Sequence, residues 1–126
     1  MKQLNIKHIN NLHSDALRAL DFYDQELNIL QNRLDEIAED NTDDEILADV
    51  DHFQNQVVIH QRYISELRYR FHQNLKNIED QVVHMAGFAE EDSISENEII
   101  YEQFITEEKM FNALRHEFYR FAAKWM

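Results

Sequence analysis

Several absences constrain this chain before any motif does. It has no proline and a single glycine, Gly87. Sheet folds reverse direction often, and tight reversals draw on Gly and Pro. Their scarcity predicts few chain reversals and long, uninterrupted helices. There is no cysteine, which excludes a disulfide framework and a thiolate metal site. No stretch approaches the roughly 18–20 consecutive apolar residues of a membrane span. The opening residues Met1 to Asn5 have no apolar segment of the kind a signal peptide carries. Membrane association is therefore not expected, and a cytoplasmic location is. Glycine-rich phosphate loops and nucleophile elbows are missing as well. No enzyme activity, catalytic residue or cofactor is expected.

Positive charge is also scarce: 12 Lys and Arg stand against 25 Asp and Glu, a formal net charge of −13. Nucleic acid calls for clustered Lys and Arg, so it is not an expected partner. The acids are unevenly spread. Residues 35–51 and 79–102 contain acids and no Lys or Arg. The remaining three segments, 1–34, 52–78 and 103–126, are neutral or slightly basic.

Hydrophobic spacing is the strongest positive signal. A first helix is predicted over about residues 6–38, with the seam Ile6, Ile9, His13, Ala16, Leu20, Tyr23, Leu27, Leu30, Leu34, Ile37. The steps alternate three and four, the heptad seam of coiled-coil-like packing. A second helix is predicted over about 43–86. Its seam runs Ile46, Val50, Phe53, Val57, His60, Ile64, Leu67, Phe71 and then, through a stutter, Leu75, Ile78, Val82, Met85. A strict heptad would instead bury Asn74 and Gln81, and the stutter is preferred because it buries Leu and Val. A third helix is predicted over about 96–125, with Ile100, Phe104, Glu107, Phe111, Leu114, Phe118, Phe121 and Trp125 inside.

The turns carry capping signals. Thr42 with Glu45 fits a capping box, as does Ser95 with Glu98, with Ser93 and Glu96 as a competing start. Gly87 is placed to close the second helix in the left-handed conformation. Two short turns make neighbouring helices antiparallel. The expected fold is all-α: one domain over 1–126, an antiparallel up-down-up bundle of three long helices. In helix number and length this resembles the spectrin-type three-helix repeat, a likeness of architecture alone. Facing residue numbers should add to about 83 between the first two helices and about 182 between the last two.

The informative side chains are the polar ones on the seams. On that register His13 pairs with Glu107 and Tyr23 with His60, as buried polar partners that hold helix register. A sharper alternative is a metal site of histidines and carboxylates. Bundle metal sites repeat Glu-x-x-His on facing helices, and this chain has no such motif; Asp49-x-x-His52 is a single acidic analogue. No metal ligand set is assigned. The acidic turn 40–45 lacks the central glycine and the twelfth-position Glu of a calcium loop. A further alternative is a histidine phosphotransfer-type module built on His84, a short motif with no Lys after the histidine.

Apolar residues off the seams point to association surfaces. The candidates are Phe22 and Ile29 on the first helix, Tyr63 and Tyr69 on the second, and Tyr101, Ile105 and Tyr119 on the third; Leu12, Leu17, Ile59, Ile99 and Met110 also lie off the seams. Arg62, Arg68, Arg70 and Lys76 beside Arg115, Arg120 and Lys124 suggest a positive waist between acidic ends. The functional expectation is a non-enzymatic bundle acting through protein–protein interaction or self-association, with a homodimer favoured.

Overall fold

The computed structural model describes residues 2–3, 6–85 and 88–125. Three helices account for nearly all of them: α1 (Ile6–Asp40), α2 (Asp44–His84) and α3 (Glu91–Trp125). Helix α2 packs against both α1 and α3, and α1 touches α3 less extensively. The all-α, three-helix arrangement expected from the spacing is what the structure shows. None of the described helices is long and apolar enough to cross a membrane.

The seams form the core. Leu20, Leu27, Leu34, Ile64, Phe71, Phe118 and Ile100 are sealed from water, together with most of their heptad neighbours. Aromatic rings fill the middle: Tyr23 stacks on Phe111 with centroids 4.5 Å apart, and Phe53 meets Phe118 edge-on at 5.9 Å. Edge-to-face and offset contacts suit the ring quadrupole. Two features depart from expectation. Trp125 is exposed, and the seam ends instead at Phe121 and Ala122. Ile9 is half-buried. Ile6 is described in its backbone only, and the expected role of Gly87 falls outside the described residues.

The stutter in α2 is absent. Asn74 is buried and Leu75 half-buried, so the strict heptad continues through Ile78 to Gln81. Polar partners on α3 explain the outcome. Asn74 Nδ2 donates to the Ser93 carbonyl at 2.9 Å, and Gln81 Nε2 donates to Ser93 Oγ at 2.8 Å. The Glu90 N–H donates to Gln81 Oε1 at 2.9 Å. Two seam residues that look wrong in isolation thus hold the start of α3.

That start is also earlier than expected. Helix α3 begins at Glu91, and the Glu90 carbonyl accepts from the N–H groups of Ser93 and Ile94. The side chains of α2 replace the local capping boxes at Ser93 and Ser95. At the other turn the cap is Asp43 rather than Thr42: Asp43 Oδ1 accepts from Glu45 N at 2.8 Å and Ile46 N at 3.4 Å. A carboxylate there also suits the helix dipole.

One further element was not anticipated. β1 (Lys2–Gln3) pairs antiparallel with β2 (Phe88–Ala89), and Ala89 is fully buried. This two-residue ribbon ties the beginning of the chain to the α2–α3 connection. A pairing so short leaves no periodic trace in sequence.

These boundaries move the register. Asn28–Gln61 and Asp35–Gln54 each add to 89, and His60–Glu107 adds to 167. The second and third helices are therefore shifted by several turns from the expected alignment, which reassigns the buried polar partners.

Candidate functional site

The four polar seam residues are all buried, but not in the expected pairs. His60 Nδ1 donates to Glu107 Oε1 at 2.5 Å, with the two residues only 3% and 1% exposed. Tyr23 donates its hydroxyl to Glu108 Oε2 at 2.6 Å. His13 meets neither acid. Its Nδ1–H donates to the Ile9 carbonyl one turn back at 3.0 Å, and its ring stands edge-on to Phe71 at 5.2 Å. The exchange follows from the early start of α3, which slides Glu107 down to the level of His60 and brings Glu108 to Tyr23. Glu108 is invisible to a seam analysis because it lies one position off the stripe.

Burial acts on two of these groups. With Nδ1 committed to Ile9, the buried Nε2 of His13 has no partner. Burial pushes the His13 pKa below its ordinary value, reinforced by His72 and opposed by the Ile9 bond and Glu79. Burial also raises the Tyr23 phenol, and the bond to Glu108 raises it further. Tyr23 is a neutral hydrogen-bond donor at any ordinary pH.

The His60–Glu107 pair forms part of the wall of a groove between α2 and α3. One hollow, about 320 Å³, is lined from α2 by Ile59, His60, Arg62, Tyr63 and Glu66, and from α3 by Thr106, Glu107 and Met110. A second, about 280 Å³, continues toward the start of α2, past His52 and Gln56 on one side and Ala113, Leu114 and Glu117 on the other. The two share His60 and Met110. Ile59 is 55% and Met110 52% exposed, so the groove carries two large apolar side chains in water.

The other helix crevices are bridged by polar side chains. Between α1 and α2, Arg68 pairs with Asp21 and Asp24, Gln61 donates to Asn28, and Gln54 to Asp35. Between α1 and α3, Tyr23 reaches Glu108 and Arg115 lies 3.8 Å from Glu26. At the other end of the α2–α3 crevice, Arg70 bonds Glu96 at 2.9 Å and also Gln103. Between residues 52–66 of α2 and 106–117 of α3, the polar link among the described residues is the buried His60–Glu107 pair. Arg68, Arg70 and Arg115 are engaged with acids, so three of the seven bases of the expected positive waist are neutralised.

The expected interaction residues divide among three places. Phe22 and Ile29 are exposed on the stripe of α1 that carries Glu26, and so flank α3. Ile105 and Tyr119 are exposed on the stripe of α3 that carries Glu108 and Arg115, and so flank α1. Tyr69 is exposed on α2. Tyr63 and Tyr101 are half-buried and pack against the core, so they are poorer candidates for free surface than the spacing suggests. Ile59 and Met110 were visible as off-seam apolar residues and Arg62 as part of the positive waist; Glu66 and Thr106 carried no signal.

The metal alternative gains no geometry. Among the described residues no group of three or more His, Asp or Glu side chains is placed to hold an ion. His84 is the last residue of α2 and exposed. The fold and groove define an all-α bundle with an apolar furrow on one seam. In comparison with known proteins, no family model, no curated protein and no solved structure matches the chain.

Proposed function

We propose that this chain is a non-enzymatic helical bundle that works by binding protein along the α2–α3 groove. The observation that carries the reading is a coincidence of two features on one stretch. Residues 52–66 and 106–117 hold two joined hollows with Ile59 and Met110 exposed in water, and among the described residues surface side chains do not bridge the crevice there as they do on the other seams and at the far end of this one. Exposed apolar area framed by polar residues favours association because docking removes it from water. The bound protein is a second copy of this chain or a different one, and light scattering of the purified protein separates the two.

The test places a photo-reactive amino acid at position 59 or 110 in the intact chain, with position 22 on the α1–α3 flank as a control. Crosslinked protein adducts are expected from 59 and 110 and not from 22. Equal labelling from all three positions, or none from the groove, would overturn the reading.

A further inference from the structure

We infer that the α2–α3 groove receives an amphipathic helix from a different protein, with apolar side chains set against Ile59, Tyr63 and Met110 and lysine or arginine along its flanks. This rests on the groove being the binding surface and specifies what fills it.

The shape argues for a helix. The joined hollows follow α2 from His52 to Glu66 and α3 from Thr106 to Glu117. At 1.5 Å per residue that is about 20 Å, or roughly four helical turns. Ile59 and Tyr63 stand one turn apart on one wall, and Met110 and Ala113 on the other. Two ridges with a furrow between them accept the ridge of another helix, and a helix seated there completes a four-helix bundle. A helix also brings a backbone already satisfied by its own hydrogen bonds. An extended peptide would need a strand edge to pair with, and neither wall offers one, because both are helices.

Charge argues for a basic helix and against a second copy. The lining carries Arg62 and Glu66 at one end and Glu117 at the other, two exposed acids to one base, beside the buried Glu107. Three arginines that would offset the acids are already engaged: Arg68 with Asp21 and Asp24, Arg70 with Glu96, Arg115 with Glu26. The whole chain carries −13, so a second copy approaches against its own like charge. A helix bearing Lys and Arg is drawn in by the same field.

The probe is an 18-residue model helix of leucine and lysine with one apolar stripe, added to the full chain and followed by fluorescence anisotropy. Its counterparts are a leucine/glutamate helix of the same pattern and a leucine/lysine peptide with the stripe scrambled. Binding of the first alone is expected, weakening as salt rises. Ile59→Ser with Met110→Ser should weaken it about tenfold or more, while Phe22→Ser leaves it unchanged. All three positions are exposed, so the substitutions spare the core, and circular dichroism checks that they do. If the leucine/glutamate helix binds as tightly and still depends on Ile59 and Met110, the groove stands and the basic partner falls. A dimer in light scattering that the double variant dissociates would assign the groove to a second copy and overturn the inference. Binding indifferent to the double variant would remove the groove itself.

Discussion

At the scale of single residues, the buried His60–Glu107 bond places two polar groups in the core of the bundle. Both groups lose water on folding, and one short hydrogen bond at 2.5 Å is what they gain in return. Such pairs add little net stability over apolar side chains, yet breaking one leaves a buried polar group stranded. Glu107→Leu and His60→Leu should each destabilise by about 3 kcal/mol. The double replacement should cost about 4 kcal/mol, less than the sum of the two. A double-mutant cycle by urea unfolding reads the coupling, expected near 2 kcal/mol; additive losses would show that the two groups do not depend on each other. The pair's identity was not legible in sequence. Both residues stand out as polar members of apolar stripes, but their pairing depends on how far α3 slides along α2, which no local pattern records.

At the scale of elements, the start of α3 is held by α2 rather than by its own cap. Gln81 accepts from Glu90 N and donates to Ser93 Oγ, and Asn74 donates to the Ser93 carbonyl. Gln81→Ala removes two of these bonds from a half-buried position, at an expected cost of about 1–2 kcal/mol. Amide exchange at Glu90, Ser93 and Ile94 should quicken more than in the middle of α3. Unchanged exchange at those three amides would mean that the helix start caps itself. The same bonds explain why the stutter reading failed. It ranked Leu75 and Val82 above Asn74 and Gln81 by hydrophobicity alone, and the deciding partner lies on another helix. Element existence was readable because each stripe repeats over many turns; the cap at Asp43 and the start at Glu91 were not, because several Ser, Thr and Asp residues compete locally for each role.

At the scale of the whole molecule, His13 couples stability to pH. Its ring is 1% exposed, and burial holds its pKa in the fold below the ordinary 6.5 of a histidine. As pH falls, the unfolded chain takes up the proton first. Stability from this group is therefore full above about pH 6.5 and declines below it, through the window down to the lowered folded value. His72 and Glu79 are the charged neighbours that modulate it. Melting temperature is expected to drop between pH 7 and pH 5, and more steeply in the wild type than in His13→Leu. Parallel curves for the two proteins would place the acid sensitivity elsewhere.

The sequence by itself determined the all-α class, the number of helices, and most of the core, because a stripe repeating every three or four residues can be buried in only one way on a helix. It also marked His13, Tyr23, His60 and Glu107 as polar groups inside. Tertiary structure alone decided which of them meet, where α3 begins, and which crevice stays open. Those outcomes turn on the relative sliding of helices, set by contacts such as Gln81 with Glu90 and Lys2 with Ala89. Residues far apart in the chain settle them, and periodicity along one helix carries no information about its position against the next.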